Sequence, residues 1–264
     1  MYKSFILIDT NLLGESCEKF WIKKERHPNW IAPLYGRNAI EVSPIIIDIE
    51  QALQASKMSV VMKMVNAQRP QLGISFIEST MPLVKIVKHL QNFIYVRTTS
   101  DKEFTLRFAD CAVLPALATV FNPSQWAALT KPFKSWKVHD RDGNIVSLPI
   151  IVCGNVSELP LILLDDQIFN LRELMAADQL LFNLRIRRPA ENSIYLSSIG
   201  HEYAAQSRSI WCAAGNIDDL DLVLFTEYIF ESKGRMLRSP NLLSVLANKN
   251  RAEMHASLRK MVNI

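Results

Sequence analysis

The residue types best placed to do chemistry in this sequence are Arg107 and Asp110, three positions apart where a strand-like run, Phe104 to Phe108, gives way to a helix-like one. A guanidinium beside a carboxylate can bind an anion or exchange protons with a substrate. The same pair can instead close a structural latch, with Asp110 capping the helix and Arg107 paired to it or to a nearby carboxylate. The latch is the stronger reading, because capping alone explains an aspartate at a helix entry. Other constellations are weaker. His201-Glu202 lacks the following histidine of a zinc protease, and His27, His89, His139, His201 and His255 never fall at His-x-x-x-His spacing. Asp140 and Asp142 precede Gly143 in an acidic loop, but Val138 and Pro149 fill the remaining ligand positions of a calcium loop and offer no side-chain oxygen. That segment reads as a turn. The nucleophile elbow Gly-x-Ser-x-Gly is absent, as are Gly-x-x-x-x-Gly-Lys-Ser/Thr and Gly-x-Gly-x-x-Gly. A triad gathered from distant residues stays open, since geometry defines one.

The four cysteines, Cys17, Cys111, Cys153 and Cys212, are scattered and form no Cys-x-x-Cys pair. They read as reduced, small hydrophobes rather than as zinc ligands or a disulfide framework. Hydrophobic residues make up 49% and charged residues 21% of the 264, a composition that supports a sizeable core and excludes wholesale disorder. The formal net charge of +4 suits a partner with an acidic patch and falls short of a nucleic-acid-binding signature. The opening Met1 to Asp9 is too short an apolar run for a signal peptide. The greasiest stretch, Leu148 to Leu164, is interrupted by Gly154, Asn155, Ser157, Glu158 and Pro160, so no membrane span is expected. The expected location is cytoplasmic.

These residues need elements to position them. Phe5 to Ile8 is a compact apolar run ending at Asp9 and predicts a buried strand. Ser59 to Val65 and Ile74 to Ile77 read as further strands, although the first could be helical. From Leu83, the residues Leu83, Val84, Ile86, Val87 and Leu90 have helical spacing, with Ser79 or Thr80 as cap and Pro82 in the first turn. Two hairpins follow, Phe93–Arg97 with Phe104–Phe108 and Trp136–Val138 with Ile145–Ser147. Past residue 165 the pattern turns helical, over 168–187 and 217–233, with Gly234 at a C-cap of the latter. Ser239-Pro240 opens another helix, and Asn250 with Glu253 resembles a capping box. The expected fold class is α/β, a mixed-sheet N-terminal lobe with flanking helices over 1–164 plus a smaller all-helical C-terminal lobe over 165–264. Arg185, Arg187 and Arg188 could touch nucleic acid, but at a helix end they read as dipole partners and solvated charge.

An ordered motif series runs through the first lobe: Ile8-Asp9, Leu34-Tyr35-Gly36, Ser43-Pro44, Gly73 to Phe76, His89-Leu90 and Leu106 to Asp110. With this series the chain resembles the type VI secretion effector-adaptor (Tap-type) family, also called effector chaperones, and departs from it at Cys111, where the family usually has proline. The segments Phe230 to Pro240 and Arg251 to Leu258 look like that family's variable second lobe. The resemblance implies a non-enzymatic cytoplasmic bacterial protein without cofactor or metal. It would bind a cognate toxin effector and help load it onto the valine–glycine repeat spike protein (VgrG). Neither nucleic acid nor membrane is an expected partner. The helical lobe is the expected effector contact, with Tyr228, Phe230, Met236 and Leu237 as candidate partner-binding residues, chosen for apolar character near a charged turn. Two alternatives stay open: a small hydrolase with a non-contiguous active site, and a nucleic-acid-binding regulator.

Overall fold

The computed structural model describes residues 2–12, 27–67, 71–154, 156–189 and 192–262. Met1, Asn155 and Cys17 lie outside these. The chain forms two compact units, Met1–Glu173 and Leu174–Ile264.

In the first unit, strand β1 (Lys3–Ile8) sits inside a six-stranded sheet with β2 (Ile31–Pro33), β3 (Ile45–Asp48), β4 (Ile74–Ser79), β7 (Phe133–His139) and β8 (Ile145–Ser147). The order is β2-β3-β1-β4-β7-β8, and every pairing is antiparallel. The central strands are near-continuous apolar runs because both faces are covered. Phe5 and Leu7 enter one core with Ile46, Ile77 and Trp136, while Ile6 and Ile8 enter a second with Ile31, Ile45, Ile47 and Ile74. Successive side chains on a strand point to opposite faces, so one run of four apolar residues serves both cores.

Short helices α1 (Ile49–Gln54) and α2 (Met58–Asn66) follow β3. The segment 59–65, for which the sequence leaves strand and helix open, is helical: Val61, Met64 and Val65 are buried at i, i+3, i+4 spacing and supply the second core. Helix α3 (Leu83–Gln91) packs Leu83, Ile86 and Leu90 into the first core. Neither Ser79 nor Thr80 caps it; Pro82 is the N-cap, and no side chain bonds there. The Ser79 hydroxyl instead donates to the Pro132 carbonyl at 2.6 Å.

A second, three-stranded sheet has the order β6-β5-β9, from β5 (Tyr95–Thr98), β6 (Glu103–Thr105) and β9 (Ile162–Leu163), with β5 and β9 parallel. Between its strands lie α4 (Leu114–Val120) and α5 (Pro123–Thr130). Asn122 caps α5 in a full capping box with Gln125. Leu106, Arg107 and Phe108 fall past the end of β6, which is shorter than the sequence pattern suggested.

Helix α6 (Asp165–Arg187) begins right after the expected boundary at Leu164, and the two units divide within it. The second unit continues with α7 (Asn192–Leu196), α8 (Ser198–Ala213), α9 (Asp219–Glu231), α10 (Leu242–Leu246) and α11 (Arg251–Val262). Its core joins Leu180, Leu181 and Leu184 to Trp211, Phe225, Ile229 and Leu258. Buried Asp221 ties α9 to α11 by accepting from Arg251 Nε at 2.8 Å and His255 Nε2 at 3.0 Å. The α9 terminus departs from expectation. Gly234 N–H donates to Ile229 O and Lys233 N–H to Phe230 O, which makes Lys233, not Gly234, the left-handed residue just past the cap, at φ +53°. Asn250 also makes only half a capping box. It accepts from Glu253 N at 3.3 Å, while the Glu253 carboxylate accepts from Asn248.

Candidate functional site

The motif residues converge where β1 ends. Asp9, the first residue beyond the strand, is 2% exposed. Its N–H donates to Gly73 O at 2.8 Å, and its carboxylate accepts from Asn11 N at 3.0 Å. The remaining oxygen, Oδ2, accepts from Arg107 Nη2 at 3.1 Å. That same nitrogen lies 3.1 Å from Asp110 Oδ2. One guanidinium nitrogen thus bridges two carboxylates set almost out of water.

Asp110 does not cap α4 directly. Its carboxylate accepts from Ala112 N at 2.9 Å and its carbonyl from Val113 and Leu114, so it closes the turn that leads into the helix. The next residue, Cys111, donates its N–H to Leu72 O at 2.7 Å and its thiol to Ile74 O at 3.3 Å. This binds the Arg107 segment to the start of β4.

Leu34-Tyr35-Gly36 and Ser43-Pro44 also meet here. Fully buried Ser43 accepts from Leu34 N at 2.9 Å and Tyr35 N at 2.8 Å, and donates to Pro44 O at 2.7 Å. Thr10 donates to Ser43 O at 2.9 Å, and Gln91 Nε2 reaches Leu34 O at 3.1 Å. A buried loop must pair its backbone groups internally, and one hydroxyl does so for this crossing. Gly36 has φ −68° and open space around it, so neither its backbone nor its surroundings require glycine.

The knot sets one guanidinium against two carboxylates. Burial opposes the Arg107 charge, yet Asp110 and Asp9 more than offset it and hold its pKa above the ordinary value. Burial, then Asp9, push the Tyr35 phenol up, against the opposing pull of Arg107, so it stays protonated. Burial also pushes the Cys111 thiol up to about 12, the opposite of what a nucleophile needs. His139 Nδ1 faces Ile74 O at 3.0 Å, which fixes that nitrogen as the N–H donor. Arg107 and Asp110 are therefore brought together, with Asp9 as the partner that the spacing alone did not name. Signals for it were present: an aspartate ending a buried strand, and a Ser-Pro pair.

The four candidate contact residues separate. Phe230 and Met236 are 6% and 2% exposed and belong to the core of the second unit, so the expectation that they face a partner near the turn is corrected. Tyr228 and Leu237 are half-buried, with the Tyr228 hydroxyl accepting from Arg259 Nε at 3.1 Å. Arg187 and Arg188 pair with Glu227 and Glu231 on α9, the former through Nε at 2.5 Å. The 139–144 segment is a turn, with Asp140 accepting from Asp142 N and Asn144 N and Gly143 at φ +84°. Among the described residues no group of three or more His, Cys, Asp or Glu could hold a metal ion. No described helix is long and apolar enough to cross a membrane.

Residues 4–128, all in the first unit, match the family model described as Domain of unknown function (DUF4123). No curated protein matches the chain, and no solved structure does.

Proposed function

We propose that this protein is a non-enzymatic adaptor, which binds a cognate toxin effector in the bacterial cytoplasm and helps load it onto the spike protein VgrG of a type VI secretion system. One observation carries this reading. The motif series by which the chain resembles the effector-adaptor family lies within the matched residues 4–128, and its members other than His89-Leu90 are tied together by hydrogen bonds around Asp9, Ser43 and Arg107. Residues spent on mutual hydrogen bonds define a scaffold rather than a reaction centre, and partner choice then belongs to other surfaces.

A loader needs an interface with an apolar centre. On α6, Phe182 and Ile186 stand one turn apart at 51% and 66% exposure and are better placed for this than buried Phe230 and Met236. Tyr228 and Leu237 remain candidates beside them. The test is affinity capture of the tagged chain from its native cytoplasm. Co-purification of one toxin and of the spike's C-terminal region is expected, and recovery of neither removes the reading. Phe182→Asp with Ile186→Asp should weaken toxin capture at least about tenfold, the loss typical of a central apolar anchor.

A further inference from the structure

A cavity of about 430 Å³ opens on the first unit, lined by the turn after β5 and by the segment leading into β9. Its wall is pinned. Ser157 is bound to Ser124 through both hydroxyls at 2.6 Å and through its N–H at 3.3 Å. Leu161 O accepts from Arg97 N at 2.9 Å, and Ile162 O from the buried Gln125 amide at 2.8 Å. Gln125 and Gln167 exchange amide hydrogen bonds behind it, at 2.7 and 3.3 Å. A loop held at so many points does not need to be ordered by a ligand, which lowers the cost of binding.

The pinned wall nevertheless leaves Glu158, Leu159 and Ile162 uncovered. Leu159 and Ile162 are 45% and 55% exposed, beside Pro160. Of the charged groups lining the cavity, Arg97 already pairs with Asp101 at 3.3 Å. Glu158 has no ion pair among the described residues. An unmatched carboxylate next to uncovered apolar surface, over a rigid hydrogen-bonded wall, has a definite complement.

We propose that this cavity receives a basic residue followed by an apolar one from an extended segment of a protein partner, the cation on Glu158 and the apolar side chain on Leu159 and Ile162. An acidic segment would set like charges together, and a wholly apolar one would bury the carboxylate unpaired. The site gives the adaptor a docking point for its client, and to that extent the identity of the client rests on the adaptor reading.

The test uses the full isotope-labelled chain titrated with acetyl-Arg-Leu-amide, and with acetyl-Glu-Leu-amide as control, followed by amide chemical shifts. Saturable shifts at Thr98, Ser157 and Ile162 are expected, with the arginyl compound favoured by about twofold to fivefold, the range of an exposed ion pair. Glu158→Gln should remove most of that preference and Glu158→Lys should reverse it; Glu158 is exposed, so neither change threatens the fold. Shifts centred elsewhere, no saturation, or a preference that survives Glu158→Lys overturns the proposal. Toxin capture separates it from the adaptor reading. A Glu158→Lys chain that captures toxin like the wild type overturns this docking point and leaves the adaptor standing. Intact dipeptide selectivity, with neither toxin nor spike recovered, supports the cavity and overturns the adaptor.

Discussion

Arg107 Nη2 and Asp9 Oδ2 meet at 3.1 Å although 98 positions separate them in the chain. The contact joins the end of the first strand to the segment between β6 and α4, and Asp110 shares the same nitrogen. Arg107→Ala would leave two nearly buried carboxylates without their counter-charge. Breaking a fully buried pair costs about 3–5 kcal/mol, but the Arg107 side chain is 49% exposed and water can replace part of it. A loss of about 2 kcal/mol in urea unfolding is expected. Because both contacts use one nitrogen, Arg107→Lys should recover more than half of it. A lysine variant as weak as the alanine one would show that the planar fork matters, and would point back to anion recognition.

Ser43 is the second anchor of the knot. Ser43→Ala leaves the part-buried Tyr35 N–H without its acceptor, while Leu34 N keeps Pro44 O at 2.9 Å. An orphaned buried donor costs about 1–3 kcal/mol. The variant should unfold at correspondingly lower urea; a change below about 0.5 kcal/mol would mean that the loop reorders around water.

Much of this was legible beforehand. The buried strand Phe5–Ile8, the two hairpins and the helical tail follow from the sequence pattern alone, and a three-residue interval made Arg107 and Asp110 a pair. The third member was not readable from spacing, since nothing local brings Asp9 to a residue 98 positions on; that contact exists only once β1 pairs with β4. The 59–65 segment stayed ambiguous because its valines favour strands, and burial at 61, 64 and 65 decides for the helix. Phe230 and Met236 misled because a charged turn in sequence need not expose its apolar neighbours. The cavity beside β9 had no motif at all, since its wall is held by Ser124 and Gln125 of α5 and Arg97 of β5, two segments distant in sequence from it.

His89 gives a pH dependence of known sign. Burial, partly countered by the Leu129 carbonyl and reinforced by Lys131, lowers its pKa below the ordinary 6.5. The ring donates from Nε2 to Leu129 O at 2.8 Å, and Phe133 and Phe93 pack against it. A base whose folded pKa lies below its unfolded value takes up a proton on unfolding. Its contribution is therefore full above 6.5 and is lost as the pH falls through 6.5 towards the folded value. Unfolding midpoints between about pH 7.5 and about pH 5.5 should drop, and His89→Gln should flatten that drop. His27, whose pKa burial also lowers, stays in both proteins and does not confound the comparison. Parallel profiles for the two would assign the dependence to other groups.

The close of α9 offers a pair of changes with opposite signs. Lys233 holds φ +53° with a side chain exposed to solvent, a conformation that costs an L-residue about 1–2 kcal/mol. Glycine relieves that strain but gives up about 0.5–1 kcal/mol of chain entropy, so Lys233→Gly should raise stability by about 0.5–1 kcal/mol. Its neighbour behaves otherwise. Gly234 also has positive φ, +78°, and a Cβ there would sit 2.5 Å from Tyr203 Cε1. The Tyr203 ring cannot simply swing away, because its hydroxyl donates to Lys233 O at 2.8 Å and it packs edge-to-face with Phe230. Gly234→Ala should therefore destabilise by about 2 kcal/mol or more, combining backbone strain with overpacking. Urea midpoints followed by far-ultraviolet circular dichroism separate the two. If Lys233→Gly destabilises instead, the lysine side chain makes a contribution larger than the strain it carries, and the left-handed turn is not the weak point of this helix end.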